Sequence, residues 1–283
     1  MIEMLVQERW VLLLVACVLG ALIGSFLNVV IYRMPLMMER AWEDEIATAQ
    51  GKEPVARERF NLVLPRSRCG NCGHLITALE NVPVISWIAL RGKCSACGTP
   101  ISVRYPFVEV VTALLFFACA FVFGATLQCV AAMAFCAVLV ALTGIDLDTQ
   151  LLPDQLTLPL LWLGLLVNLG GLFVRLPDAV IGAVAGYLVL WSVYWLFRLA
   201  TGREGMGYGD FKLLGALGAW FGWQALPVLL LVSAVVGSFV GIAILVVQKK
   251  GRQTAIAFGP YLALAGLIML FFGPQIQQLP LVL

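Results

Sequence analysis

From Trp10 to Ile31 the chain carries no Asp, Glu, Lys or Arg. At roughly 1.5 Å per helical residue such a run is long enough to cross the ~30 Å hydrocarbon core of a bilayer. The pattern recurs almost to the C-terminus. Apolar stretches cover approximately Trp10–Ile31, Pro106–Phe123, Gln128–Ile145, Leu156–Val174, Ala179–Phe197, Phe211–Trp223, Ala225–Val247 and Phe258–Phe272, the sixth being short. With 61% hydrophobic and 12% charged residues, a soluble core of this size would leave too little polar surface. Strict apolar–polar alternation is absent, which argues against a β-barrel. The expected fold is an all-α polytopic membrane protein with about eight transmembrane helices. The run after Trp10 is too long for a secretory signal and is read as a retained helix.

Charge placement gives the orientation. With eight spans, all but Arg9 and Arg175 of the 18 Lys and Arg residues fall on one side. By the positive-inside rule that side is cytoplasmic, and a wrong span count would scatter the charges. Residues 32–105, Asp146 and Asp210 then face the cytoplasm, and both termini lie outside. The net charge of +2 says little about a partner, and no nucleic-acid partner is expected.

Gly20 and Gly24 in the first span suit close helix packing. Asn28, inside the apolar run, should find a partner on another helix, Arg33 marks the cytoplasmic boundary, and Pro35 is expected to stop the helix. Asn28 and Arg33 serve either as packing and anchor residues or as shapers of a substrate groove. The acids Glu39, Glu43, Asp44, Glu45, Glu53 and Glu58 alternate with Arg, as on a solvated helix; such a surface would also attract a basic peptide.

Two CxxCG knuckles follow, Cys69-Gly70-Asn71-Cys72-Gly73 and Cys94-Ser95-Ala96-Cys97-Gly98, with 21 residues between Cys72 and Cys94. This spacing resembles a zinc ribbon, in which Cys69, Cys72, Cys94 and Cys97 close a tetrahedral structural Zn2+ site. The rival reading is two redox pairs, although disulfides rarely persist in a cytosolic segment. His74 reads as a polar surface residue, because four thiolates already fill the site. Cys17, Cys119, Cys129 and Cys136 lie in apolar runs without pair spacing. Glu109, just inside the second span, either pairs with Arg104 or is functional.

The acids next to the later spans carry the chemistry. Asp146 ends one apolar run, and Gly207-Tyr208-Gly209-Asp210 precedes another, 64 positions on. A carboxylate at a membrane-helix end is costly unless something uses or pairs it. The glycines leave room for another backbone close to the acid. By itself the short motif is also what a helix-capping Asp after a flexible loop looks like. Two aspartates within about 3–5 Å would share one proton, the arrangement for water-activated amide hydrolysis without a covalent intermediate. Composition does not choose Asp146 over Asp148, and Asp154 and Lys212 lie close by in sequence terms. No HExxH is present, and the single His belongs to the cysteine loop. A phosphate cradle in the Gly202–Gly209 loop is disfavoured, because no strand precedes it.

Taken in order, Gly24-Ser25-Phe26-x-Asn28, the two CxxC pairs, Asp146 with Leu152-Pro153-Asp154, and Gly205-Met206-Gly207-Tyr208-Gly209-Asp210-Phe211-Lys212 resemble the bacterial type IV prepilin peptidases, also called prepilin leader peptidase/N-methyltransferases. The likeness runs from about residue 10 to residue 265. It implies an aspartic endopeptidase of the GxGD type that removes the short basic leader of type IV prepilins and pseudopilins after Gly, at the cytoplasmic face of the inner membrane. It also implies N-methylation of the new N-terminal residue, commonly Phe, with S-adenosylmethionine as donor. The family's catalytic aspartates map onto Asp146 and Asp210, with Asp148 a solvated neighbour. The cysteine domain maps onto Cys69, Cys72, Cys94 and Cys97 and is tied to methyl transfer; no residue is assigned to the donor. Three parts are expected: a transmembrane helix over residues 1–31, a cytoplasmic tetracysteine zinc domain over 32–105 and a seven-helix membrane domain over 106–283. The alternative is a transporter using the aspartates as an ion relay, against which stands their position at one face rather than at the midplane.

Overall fold

The computed structural model describes residues 9–203, 205–248 and 257–277. Among them the chain is nearly all helix: α1 (Arg9–Ala49), the short α2 (Ile85–Ala89), α3 (Arg104–Phe123), α4 (Leu127–Thr149), α5 (Asp154–Val167), α6 (Leu176–Thr201), α7 (Tyr208–Phe221), α8 (Leu226–Gln248) and α9 (Gly259–Gln277). Each of the eight expected apolar segments lies largely on one helix, although Leu156–Val174 outruns α5, which ends at Val167. Six helical segments are long and apolar enough to cross a membrane, by length and composition. The chain is a multi-pass membrane protein. The other two, α5 and α7, have 14 residues each and are about 21 Å long, short of the ~30 Å apolar core. Lys249, Lys250 and Arg252, used above for orientation, lie outside the described residues.

The chain divides into two compact units, Met1–Ala141 and Leu142–Leu283. In the first, α1 packs along α3, and the small residues decide how closely. A Cβ on Gly20 would lie 2.7 Å from Ala113 Cα, and one on Gly24 2.7 Å from Glu109 Cα. Asn28 finds the expected partner on another helix, donating to the Tyr105 carbonyl at 3.1 Å. Helix α1 does not stop at Pro35 but runs through it to Ala49. A helical proline forfeits one hydrogen bond. Here the turn before it is pinned, since buried Arg33 donates to the carbonyls of Asn61 (2.9 Å) and Pro65 (2.7 Å). Beyond it, Met, Glu, Arg and Ala favour helix. Arg33 is therefore a buried staple. The acid-rich part of α1 is mostly exposed, as expected of a solvated helix.

In the second unit α7 is the enclosed element: Asp210, Phe211 and every residue from Leu213 to Phe221 are buried. Backbone-to-backbone contact with α6 achieves this. A Cβ on Gly218 would overlap the Gly182 carbonyl oxygen, and one on Gly186 would lie 2.7 Å from the Leu214 oxygen. Against α5, Trp220 Nε1 donates to the Leu160 carbonyl at 2.9 Å. The C-terminal end of α7 is capped from outside. Asn168, fully buried, donates to the Ala219 and Trp220 carbonyls (2.9 and 3.1 Å) and accepts from the amides of Phe173 and Val174 (3.0 and 3.1 Å). Helix ends leave carbonyls without intrahelical partners, so this side chain lets a short helix end inside protein.

Candidate active site and metal centre

Asp146 lies in the last turn of α4 and Asp210 in the first turn of α7, and they are 4% and 6% exposed. Both belong to the second unit. The setting explains both burials. Helix α4 ends just past Asp146, whose carbonyl accepts from the Gln150 amide at 2.9 Å, with Gln150 at φ +56°. The chain then turns through Leu152 and Pro153 into α5. Gly207 is the extended N-cap of α7, and its carbonyl accepts from the Asp210 amide at 3.3 Å. An acid in the first helical turn also meets the positive end of the helix dipole.

Two glycines shape the space around the acids, and Leu152 stands by both. A Cβ on Gly209 would lie 2.6 Å from Leu152 Cβ. One on Gly259 would lie 2.5 Å from Asp146 Oδ2 and 3.1 Å from Leu152 Cδ2. The Gly259 amide donates to the same Asp146 oxygen at 2.9 Å, so the first residue of α9 fixes the Asp146 carboxylate. Gly207 has no such role, because a Cβ there meets only Asp210 Oδ2, at an ordinary 3.7 Å.

The neighbouring polar residues sort differently. Asp148 is exposed, about 200° around the helix from Asp146. Lys212 and Asp154 form an ion pair at 2.6 Å, at the starts of α7 and α5. Leu152, Asp154 and Lys212 fall within the motifs read from the sequence, but nothing local pairs Lys212 with Asp154 or brings Leu152 against the glycines, and Gly259 is marked only by the Gly-Pro step that opens α9.

In the first unit the four cysteines converge. The sulfurs of Cys69, Cys72, Cys94 and Cys97 all lie within 4.8 Å of one another. Cys69 and Cys97 are 3.8 Å apart, about the edge of a tetrahedron with ~2.3 Å metal–sulfur bonds. The two knuckles repeat one geometry. Gly73 N–H donates to Cys69 O and Gly98 N–H to Cys94 O, at 3.0 and 2.9 Å, with φ of +74° and +71° at the two glycines. Cys97 is drawn down to about 6 by the Thr99 hydroxyl and amide, and Cys69 is lowered by the amides of Cys72 and Asn71. The His74 amide favours the Cys72 thiolate, but the thiol's hydrogen bond to the Cys97 thiolate and burial outweigh that and push Cys72 up to about 11. Four crowded thiols in this state suit a cation that takes four thiolates. The site fits a tetrahedral metal ion.

His74, expected as a polar surface residue, is half-buried and meets Glu80 at 3.3 Å, and Ser95 bonds both. The Ser95 hydroxyl, by its hydrogen bond first, and the Thr77 amide hold Glu80 down to about 2. This Ser–His–Glu cluster is not a nucleophile relay. Ser95 and Glu80 contact the same nitrogen, His74 Nε2, whereas a relay needs one partner on each ring nitrogen. It links the two knuckles. Cys119 and Cys136 are buried with sulfurs 3.7 Å apart, as core thiols. Glu109 is buried and accepts from the Val84 amide at 2.7 Å.

Two buried acids in one unit of a helical membrane protein, with a tetracysteine cluster earlier in the chain, are what a membrane aspartic peptidase would need. Residues 18–123 match the bacterial peptidase A24 N-terminal domain, and residues 133–242 match the type IV leader peptidase family. A prepilin leader peptidase/N-methyltransferase of Aeromonas hydrophila is 56% identical over 95% of this chain and 93% of its own length. Those of Pseudomonas putida (55%, over 96% and 94%) and Pseudomonas aeruginosa (52%, over 98% and 96%) are similarly alike. No solved structure matches. The chain belongs to the prepilin leader peptidase/N-methyltransferase family and is a peptidase and methyltransferase, as the sequence resemblance implied.

Proposed function

We propose that this protein removes the basic leader of type IV prepilins or pseudopilins after Gly, and that Asp146 and Asp210 carry out the cleavage. The pair shares one proton. The ionised carboxylate takes a proton from water as the oxygen attacks the scissile carbonyl carbon. The protonated one hydrogen-bonds the carbonyl oxygen, where negative charge develops. Collapse breaks the C–N bond, and the leaving amine takes a proton from the pair. The Gly259 amide holds Asp146 in place throughout. The observation that carries this reading is two buried acids in one unit, joined through Leu152, which stands against Gly209 beside Asp210 and against Gly259 at the Asp146 carboxylate. The substrate fits an inner-membrane site at the cytoplasmic face, because a prepilin has an apolar helix in the bilayer and a basic leader outside it.

In this reading residues 32–105, which begin inside α1, form a cytoplasmic domain closed by Zn2+ on Cys69, Cys72, Cys94 and Cys97. Residues 106–283 form the membrane part that carries the aspartates. S-adenosylmethionine supplies an electrophilic methyl group to the new N-terminal amine. The test is cleavage of a prepilin-like peptide by purified protein. Asp146→Asn and Asp210→Asn should each abolish cleavage, about 10⁴-fold or more, with the melting temperature preserved. Cleavage surviving either substitution rejects the paired-carboxylate mechanism.

A further inference from the structure

The first unit contains a cavity of about 890 Å³ between the α1–α3 pair and the cysteine knuckles. That is in the size range of small-molecule and cofactor sites. Its walls combine buried polar groups with aromatic faces, notably Asn28, Tyr32, Phe60, Trp87 and Glu109. Trp87 is fixed by an Nε1 hydrogen bond to the Ile101 carbonyl at 3.2 Å.

Glu109 is 7% exposed and has Ser25 and the Val84 amide as hydrogen-bond partners, but no ion pair among the described residues. A buried carboxylate without a cation is expensive. The backbone opposite it is strained. Val84 has φ +61° and ψ −49°, and the Pro83 carbonyl accepts from the Ile85 amide at 2.6 Å. This is the rare γ-turn, here centred on a β-branched residue. Such strain persists where the surroundings impose it, and it clusters at ligand sites. Its effect here is to aim the Val84 amide at one Glu109 oxygen.

We propose that this cavity is the S-adenosylmethionine site, with Glu109 receiving the ammonium of the methionyl end and the aromatic walls receiving the adenine. The proposal rests on the chain being a methyltransferase, and it names the place the donor occupies. A basic peptide end would need Glu109 but neither the volume nor the flat aromatic walls, so the donor is the better match.

The test uses full-length protein in nanodiscs, with binding of S-adenosylmethionine and S-adenosylhomocysteine measured by calorimetry. Glu109→Gln keeps an acceptor for the Val84 amide and removes only charge. Loss of one charge-assisted bond should weaken both ligands about tenfold or more. Both are affected alike because both carry the ammonium. Ser67→Trp fills the cavity from the knuckle side and should also weaken both. Melting temperature and zinc content report folding of each variant. Ultraviolet crosslinking of S-adenosylmethionine should label peptides within residues 25–109. Wild-type affinity in both variants, or labelling confined to other residues, overturns the assignment. A wild-type protein that neither binds nor transfers methyl groups overturns the methyltransferase reading itself, a result distinguishable from the first.

Discussion

Substituting Gly259 with alanine isolates the geometry of the proposed peptidase centre. The new Cβ would stand 2.5 Å from Asp146 Oδ2, whereas ordinary contact begins near 3.4 Å. The α9 backbone is held by its own helix, so the side-chain tip is the part that yields. Asp146 must retreat by about 1 Å, a misplacement that typically costs about 10²-fold in rate. It also lengthens the 2.9 Å bond from the Gly259 amide, and a bond to a charged group contributes about 1.5–3 kcal/mol, again ten- to a hundredfold. The two estimates describe one event and are not summed. The assay is kcat/KM for a prepilin-like peptide in detergent or nanodiscs, beside the melting temperature. The expected result is a fall of about 10²-fold, mainly in kcat, with Tm nearly unchanged, because the displaced atom belongs to one side chain. Cleavage within about threefold of wild type would refute the reasoning: Asp146 would not need the position in which the Gly259 amide holds it.

Three further outcomes follow from the geometry. Gly218→Ala drives a Cβ into the Gly182 carbonyl oxygen, so Tm should fall by the equivalent of about 1–3 kcal/mol while the folded fraction keeps its kcat; an unchanged Tm would contradict the close α6–α7 packing. The Lys212–Asp154 pair is partly exposed, at 28% and 53%, and Lys212→Met should cost about 0.2–1 kcal/mol with cleavage within about fivefold; abolished cleavage at unchanged Tm would make Lys212 a participant in the chemistry. Cys72→Ser should reduce bound zinc from about one ion per chain to near none by metal analysis of reduced protein, and a wild-type-like zinc content would remove Cys72 from the site.

How much of this was legible in the sequence depended on the range of the physics involved. Membrane helices announce themselves because each charge in a span is costly, so runs such as Gln128–Ile145 needed no tertiary information. The cysteine knuckles were legible for a similar reason. Each CxxCG turn closes within five residues, and only the meeting of the two knuckles is non-local. Pro35 shows the limit of local rules, since a proline that should have ended a helix is carried by Arg33, whose partners Asn61 and Pro65 lie about 30 positions away. The aspartates were chosen by resemblance; spacing alone left Asp148 beside Asp146, and burial now separates them.

The frame that holds Asp210 was the least legible part, and hydropathy explains why. The apolar run continues to Val174, yet α5 ends at Val167, because Asn168 is occupied with the last carbonyls of another helix. An Asn in an apolar run reads as one unfavourable residue. Two of its four hydrogen bonds, to the Ala219 and Trp220 carbonyls, exist only once α7 is in place. The glycines behave alike: Gly182 and Gly218 read as ordinary small residues until their backbones meet. Together they solve a problem that longer helices do not have. A 14-residue helix cannot reach both surfaces of a bilayer, so at least one end must be satisfied inside the protein. Asn168 satisfies the C-terminal end, which leaves the N-terminal end, with Asp210, free to be placed by Gly207, Gly209 and Leu152. The shortness that weakened the expectation of a sixth span is thus the property that positions the acid. Rigidity at one end of α7 and chemistry at the other are carried by different residues, which is why Gly218→Ala should change stability and Gly259→Ala the rate.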